Sequence, residues 1–174
     1  MNEIWVMRIG HRPQRDKRVT THVALSARAL GAAGIFVDTA DSVLEENIKS
    51  VCGRFGGNFE IRTGVRWKDA VKDFDGITVH LTMYGQRIDD ALPKIRSSDA
   101  GRMMIIVGAE KVPAEVYEKA SYNISVGNQP HSEIAALSIF LDRLTDGKAL
   151  YEDRDARFTV IPNERGKTVA EVSK

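Results

Sequence analysis

Three basic side chains near the start of the chain are spaced so that they could bind phosphate groups. Arg15, Arg18 and His22 are three and four residues apart, so on a helix they lie along one face. Such a row can hold phosphates or position a hydroxyl group for attack. Arginine stays protonated, so acting as a base would need help, for example from a substrate phosphate. A solvated helix face with one structural histidine is the alternative interpretation.

Two loops late in the chain contain small residues that would let a ligand approach the backbone. Gly108 and Gly127 each follow an apolar run, and glycine adopts positive φ without steric cost. Exposed amides near Pro130 could donate hydrogen bonds to an adenine edge or a carboxylate. Alternatively, both glycines only end strands, and Asn128 or Gln129 caps a helix. The occurrence of both loops at one edge of a sheet favours a ligand site.

The elements that must position these residues alternate along the chain. Short apolar runs rich in β-branched residues predict strands, and helical spacing of apolar residues predicts helices between them. This alternation predicts an α/β fold with a largely parallel sheet and helices on both faces. The predicted strands are 4–9, 34–37, 59–62, 77–83, 103–107 and 123–126. In such sheets, ligands bind beyond the carboxyl ends of the strands.

The last helix has the clearest pattern. Pro130 near its start fits a first-turn proline, and Gly147 just past its end fits a terminating glycine. Residues 1–150 are therefore predicted to form one domain. The charged tail, 151–174, is predicted to be either an arm or an extra strand near 158–161. The apolar stripe of the helix consists of Ile134, Leu137, Leu141 and Leu144.

Composition excludes several classes of protein. The chain has 174 residues, which suits one domain, and it contains neither a Gly-x-x-x-x-Gly-Lys-Ser/Thr phosphate loop nor a Gly-x-Gly-x-x-Gly turn after its first strand. No apolar run approaches the roughly 20 residues that cross a bilayer, and no signal peptide is evident. A single cysteine, four histidines and no Cys-x-x-Cys pair make a metal site unexpected. We therefore expect a cytoplasmic protein without a metal or a membrane partner.

Positive charge is concentrated at the amino terminus. The net charge is only +1, but residues 1–30 contain six basic and two acidic side chains, for a net +4. The remaining residues contain 19 basic and 22 acidic side chains, for a net −3. A local phosphate-binding surface needs this kind of distribution, although a basic, solvated helix face would have it too.

Three stretches resemble a known family, the archaeal tRNA (cytidine(56)-2′-O)-methyltransferases of the SPOUT class. They are residues 11–25, 108–113 and 126–137, and the likeness extends to about residue 151. The resemblance implies a deep trefoil knot at the carboxyl ends of the strands and S-adenosyl-L-methionine as the cofactor. It further implies a homodimer acting on tRNA, with methyl transfer to the ribose 2′-hydroxyl of the T-loop cytidine at position 56.

The resemblance also assigns residues to the site. Arg18 is expected nearest the ribose, with Arg15 and His22 binding phosphate or supporting it. Many ribose methyltransferases of the class carry an asparagine in this first motif, whereas no asparagine lies between Glu3 and Gly31 here, so the base is either Arg18 alone or Arg18 assisted by phosphate. Glu110 could orient the nucleotide or an arginine, or could simply be a glutamate favoured at a helix start. The residues implied to bind the cofactor are Leu81, Gly108, Ala109, Glu110, Lys111, Val112, Val126, Gly127, Asn128, Gln129, Pro130, His131, Ser132 and Glu133.

Two alternatives stay open at this point. One is a SPOUT methyltransferase acting on another RNA nucleotide, and the other is a non-catalytic tRNA-binding module. Modules for single-stranded RNA stack bases on exposed aromatic rings. The chain has two Trp and four Tyr, and Trp5 and Tyr84 are predicted to lie within or beside core strands, which weakens the second alternative.

Overall fold

Six parallel strands form the central sheet of the protein. The computed structural model describes residues 3–109 and 111–172. The sheet order is β3-β2-β1-β5-β4-β6, and every neighbouring pair is parallel. The predicted parallel α/β sheet is therefore confirmed. The strands are β1 (Glu3–Ile9), β2 (Gly34–Val37), β3 (Glu60–Thr63), β4 (Ile77–Arg87), β5 (Arg102–Gly108) and β6 (Tyr122–Ser125).

Helices cover both faces of this sheet because its strands are apolar on both sides. Alternate residues of β1 show the division: Ile4 and Val6 face one core, while Met7 and Ile9 face the other. The larger core lies under α1, α2, α4 and α6, and the smaller lies under α3 and α5. The helices are α1 (Pro13–Ala29), α2 (Ser42–Phe55), α3 (Trp67–Lys72), α4 (Ile88–Arg96), α5 (Ala114–Lys119) and α6 (Glu133–Thr145).

The ends of α6 differ from the sequence prediction. Ser132 is the residue that caps the helix, because its hydroxyl accepts a hydrogen bond from the Ile134 amide at 3.1 Å. Pro130 lies before the cap, so its prediction as a first-turn proline was wrong. At the other end the left-handed turn begins at Asp146, with φ 52°, and continues through Gly147, with φ 71°.

The tail forms its own small hairpin and adds no strand to the main sheet. Strands β7 (Phe158–Ile161) and β8 (Thr168–Glu171) pair antiparallel with each other. The hairpin is fixed at its base because Arg154 donates to the carbonyl oxygen of Ala29 at 2.9 Å and accepts from the Gly57 amide at 2.9 Å. A strand does form at the predicted residues 158–161, and it belongs to an arm attached to the ends of α1 and α2 instead of to the main sheet.

The end of β4 lies close to the backbone of β6. Leu81 and Gln86 both pair with Ile124, so residues 82–85 bulge out of the ladder. At Gly85, an added Cβ would lie 2.5 Å from backbone atoms of Asn123 and Ile124. Only glycine allows the two backbones to approach this closely.

Two kinds of feature are not found in the part of the chain that the structure describes. None of its helices combines the length and the hydropathy that crossing a membrane requires. Over the same residues, 3–109 and 111–172, no group of three histidine, cysteine or acidic side chains is arranged to hold a metal ion.

The close backbone approach at Gly85 predicts that alanine substitution will have opposite effects on stability at two glycines. Gly85→Ala should lower the free energy of unfolding by about 3 kcal/mol, at the upper end of overpacking effects, because the new methyl group meets backbone that cannot rotate away. Gly53→Ala is the matched control, since Gly53 lies in α2 with open space around its Cα. The control should raise stability by about 0.5–1 kcal/mol. Urea unfolding measures both, and equal effects would contradict the close approach at Gly85.

Candidate active site

A cleft of about 840 Å³ opens at the carboxyl ends of β4, β5 and β6. Its size is typical of a site for a small organic ligand or cofactor. The strand ends form its floor, and α5 and the start of α6 form its sides. Because all the strands are parallel, the loops after β5 and β6 meet the bulge of β4 at one edge of the sheet. The cleft is lined by residues 80–84, 107–109, 111, 112, 114, 117, 118, 126, 127, 129–133 and 136.

Most of the residues implied to bind a cofactor lie together in this cleft. The loops after β5 and β6 are separated by β4 in the sheet, so the site is formed by these two loops together with residues 80–84 of β4. Asn128 does not line the cleft, and Glu110 lies outside the described residues. The cleft-lining members of the predicted set are Leu81, Gly108, Ala109, Lys111, Val112, Val126, Gly127, Gln129, Pro130, His131, Ser132 and Glu133.

Asn128 holds two of the loops together. Its side-chain amide donates hydrogen bonds to the Met83 carbonyl oxygen at 2.9 Å and to the Ser125 hydroxyl at 3.2 Å. The loop after β5 is fixed separately, because the Ala109 amide donates to the Ile9 carbonyl oxygen at 2.8 Å. The cleft therefore has walls that are held in place by bonds within the protein, as a preorganised ligand site requires.

A buried ion pair joins β1 to the start of α6. Arg8 is 1% exposed, and its Nη2 donates to Glu133 Oε1 at 2.7 Å. The Nε and Nη1 groups of Arg8 have no hydrogen-bond partner among the described residues. Glu133 is also part of the cleft wall, so its carboxylate is shared between the core and the ligand site. The sequence alone does not single out Arg8, because an apolar strand does not reveal which distant side chain will lie beside its arginine.

His80 is a buried acceptor in the cleft that the sequence analysis also missed. Asn123 donates through Nδ2 to the Tyr117 carbonyl oxygen at 2.9 Å, which turns its Oδ1 toward His80 Nδ1, also at 2.9 Å. The Nδ1 atom must then carry the proton, leaving Nε2 as an acceptor with no partner among the described residues. Burial lowers the pKa of His80, while the bond to Asn123 opposes this, so the ring stays neutral. The signal in the sequence that could have identified His80 is a histidine directly before Leu81 in an otherwise apolar strand.

The predicted catalytic residues lie on α1, outside the cleft of their own chain. Arg15, Arg18 and His22 are all exposed, and none of them lines the cleft. Their spacing does place them on one side of the helix. The structure therefore groups the predicted cofactor residues together and groups the predicted catalytic residues together, but does not join the two groups within one chain.

The amino-terminal end of α1 is fixed by a polar network. Asp38 accepts hydrogen bonds from the amides of Gly10 and His11 at 2.6 and 3.1 Å. The buried His11 ring bridges Thr20 Oγ1 at 2.8 Å and Asp41 Oδ2 at 3.1 Å. These bonds connect the end of β1, α1 and the start of α2, and so determine the direction in which the basic face of α1 points.

A second ion pair lies at the first turn of this helix. Arg12 Nε donates to Asp16 Oδ2 at 2.8 Å, and its Nη2 donates to Oδ1 at 3.1 Å. Hydrogen bonds from Arg12 are the main cause of a lowered pKa at Asp16, and the charge of Arg8 adds to them. Arg12 is thus paired with Asp16 within the chain, whereas no hydrogen bond or ion pair of Arg18 is found among the described residues.

The environment of His80 predicts a dependence of stability on pH. Below about pH 6.5 the unfolded chain takes up a proton at His80 while the folded chain resists it, so the free energy of unfolding should fall as pH falls. His80→Phe removes this titration. Urea unfolding at pH 8 measures the packing cost of the substitution, and repeating it at pH 5.5 should show a smaller pH-dependent loss than the unsubstituted protein shows. An unchanged loss would mean that His80 is not held neutral.

Comparison with known proteins gives a consistent family assignment. The family model described as tRNA ribose 2′-O-methyltransferase, aTrm56, matches residues 55–170. A tRNA (cytidine(56)-2′-O)-methyltransferase of Pyrococcus abyssi is 52% identical over 98% of this chain and 89% of its own length. One from Methanocaldococcus jannaschii is 54% identical over 94% of each chain. The chain spans only 48% of a longer relative from Picrophilus torridus, to which it is 54% identical.

Solved structures agree at the level of the fold. The SpoU methyltransferase AviRb of Streptomyces viridochromogenes, in complex with AdoMet, superposes with a TM-score of 0.57 at 14% identity, over 83% of this chain and 57% of that one. An RNA methyltransferase from Bacillus anthracis superposes with the same score at 15% identity, over 87% of this chain and 99% of that one. On the sequence matches, this chain belongs to the aTrm56 family of tRNA ribose 2′-O-methyltransferases.

Proposed function

We propose that this protein transfers a methyl group from S-adenosyl-L-methionine to the ribose 2′-hydroxyl of the T-loop cytidine at position 56 of tRNA. The observation that carries the proposal is identity above 50%, over nearly the whole chain, to relatives with this activity in their names. The same proposal places the protein in the cytoplasm, with tRNA. One such relative is about twice as long as this chain, so the activity is proposed for the 174 residues of this chain alone.

The cleft fits the proposed cofactor. Its volume of about 840 Å³ and its walls of small and apolar residues suit an adenosyl group with a bent methionine chain. Gly108 and Gly127 let a ligand approach the backbone, and His80 Nε2 is a buried acceptor for one of its hydrogen-bond donors. When bound, S-adenosyl-L-methionine supplies an electrophilic methyl carbon. The chain's own task is to orient that carbon and to exclude water from it.

The basic face of α1 supplies the proposed contacts with the ribose and its phosphates. Arg18 is the proposed residue nearest the 2′-hydroxyl, where its charge would stabilise the oxygen as the proton leaves. Arg15 and His22 are proposed to bind adjacent phosphates. A protonated guanidinium cannot accept a further proton. Arg18 can therefore take the hydroxyl proton only after giving one of its own to a substrate phosphate; otherwise that phosphate takes the proton directly.

A homodimer is part of the proposal because the two groups of residues are not joined in one chain. Val19 and Ile139 are large apolar side chains that remain 37% and 43% exposed. They lie on α1 and α6, which pack against each other. A partner covering this surface would bury both residues, and would bring its own Arg18 to the cleft of the first chain.

A trefoil knot at the same edge of the sheet also remains a proposal. It is supported by the bulge at residues 82–85 of β4 and by the close backbone approach of Gly85 to β6, because a knotted chain must pass close to the strand around which it runs.

A transfer assay tests the proposed function. Labelled methyl groups from S-adenosyl-L-methionine are followed into unmodified tRNA, and mass spectrometry locates the modified nucleotide. A 2′-O-methylcytidine at position 56 would support the proposal. Label elsewhere would favour action on another RNA nucleotide. Binding of tRNA without transfer or cofactor binding would favour a non-catalytic module.

The role of Arg18 gives a quantitative prediction. Arg18→Ala should lower the rate of transfer by at least about 100-fold, because a charge that stabilises the reacting oxygen is lost, while S-adenosyl-L-methionine binding stays largely intact. Lys17→Ala is the matched control: it removes one exposed positive charge from the same helix and should keep most of the activity. Equal loss of cofactor binding and transfer in Arg18→Ala would show that its role is different.

Mixing two inactive variants tests the shared site. Ala109→Trp blocks the cleft but keeps Arg18, whereas Arg18→Ala keeps an intact cleft. If each site combines the cleft of one chain with Arg18 of the other, a mixed dimer contains one complete site, and random mixing should restore about a quarter of the normal activity. No recovery, with both variants folded and dimeric, would mean that each chain uses its own Arg18.

A further inference from the structure

Tyr84 is an exposed aromatic residue at the mouth of the cleft. Its side chain is 79% exposed, although its position at the end of an apolar run predicted a place beside the core. It lines the cleft together with Thr82 and Met83. The Tyr84 side chain makes no hydrogen bond or ring contact to any part of the chain that the structure describes. Trp5, by contrast, is buried and stacks on Phe36 with ring centroids 4.5 Å apart.

The loop that carries Tyr84 is anchored on both sides. The Met83 carbonyl oxygen before it accepts from Asn128 at 2.9 Å, and Gly85 after it packs against the backbone of β6. Thr82 Oγ1 lies 2.9 Å from Tyr117 OH and accepts a long, 3.4 Å bond from the Tyr84 amide. The ring is therefore presented to solvent by backbone that is fixed in place, which reduces the entropy lost when a partner binds.

Cationic and polar side chains surround the same opening. Lys111 and His131 are both exposed and both line the cleft. His131 uses Nδ1 to contact the Ser132 carbonyl oxygen at 3.0 Å, leaving Nε2 available. An aromatic face next to groups that can bind phosphate is the combination that proteins use to hold unpaired nucleotides.

We propose that Tyr84 stacks on the unpaired base of the nucleotide whose ribose is methylated. This inference rests on the proposed function and adds a binding residue for the substrate. The base is favoured over the adenine of the cofactor because Tyr84 stands at the rim, whereas Leu81, which is 8% exposed, lies in the interior of the cleft. Stacking at the rim would hold the base outside while its ribose turns toward the cleft.

Substitutions that separate the ring from its hydroxyl test the proposal. Tyr84→Ala should lower kcat/KM for tRNA about 10- to 100-fold, as expected for the loss of one stacking contact. Tyr84→Phe and Tyr84→Trp should stay within about threefold, since both keep an aromatic face. The Kd for S-adenosyl-L-methionine should not change in any of them. Tyr151→Ala is the matched control, because Tyr151 is 93% exposed and lies away from the cleft.

A substrate without the target base provides the decisive measurement. A tRNA with an abasic ribose at the modified position keeps the 2′-hydroxyl but offers nothing to stack on. The difference in tRNA affinity between the unsubstituted protein and Tyr84→Ala should be large with normal tRNA and should nearly vanish with the abasic tRNA, as in a double-mutant cycle.

Each other outcome overturns the inference in a recognisable way. Unchanged kcat/KM in Tyr84→Ala, with the unsubstituted protein active, rejects stacking but leaves the proposed function intact. Loss of cofactor affinity in Tyr84→Ala would mean that the ring covers the cofactor. A defect in Tyr84→Phe as large as in Tyr84→Ala would assign the role to the hydroxyl group. Absence of transfer by the unsubstituted protein would reject the proposed function, and this inference with it.

Discussion

The buried guanidinium of Arg8 constrains how the rest of the structure can be arranged. A charged group that is 1% exposed must be paired, because burial of an unpaired charge is strongly unfavourable. Its partner, Glu133, is the first residue of α6 and part of the cleft wall. A buried pair contributes little net stability compared with apolar residues of the same size. Its effect here is on position: it fixes the start of α6, and therefore the preceding loop, relative to the end of β1.

That fixed loop matters because the cleft is made of three separate segments of chain. Parallel strands bring the bulge of β4 and the loops after β5 and β6 to one edge, but parallel strands alone do not set the distances between these segments. Asn128 connects the loop after β6 to the bulge in β4, and the Ala109 amide connects the loop after β5 to β1. With the Arg8–Glu133 pair, each cleft loop is tied to a neighbouring element by at least one polar contact. A cavity with such walls can select a ligand by shape.

Sequence patterns predicted the strands well and the short helices poorly. All six strands of the main sheet were predicted from apolar runs, although β4 continues to Arg87, beyond the predicted end at residue 83. The extension was missed because the bulge at residues 82–85 interrupts the alternation. The helices α3 and α5 have only six residues each, which is too few for a helical period to show. In the tail, a strand at 158–161 was one of the predicted alternatives, whereas β8 was not predicted, because it has only four residues and three of them are exposed.

The residues of the site also divide into those that were predicted from the sequence and those that were missed. The glycine-containing loops were predictable because each follows an apolar run in the sequence, although Gly127 does not use the positive φ that glycine allows. Arg8, His80 and Tyr84 were missed because their roles depend on distant neighbours. An arginine in an apolar strand and a tyrosine after one look alike in sequence, yet one is buried beside Glu133 and the other is 79% exposed. The same limit applies to α1 and the cleft, since no pattern within one chain indicates whether the two surfaces meet. Arg18 is not in the wall of its own cleft, and a charge can stabilise a reacting oxygen only from within a few ångströms; this is the physical reason why the proposal includes a second chain.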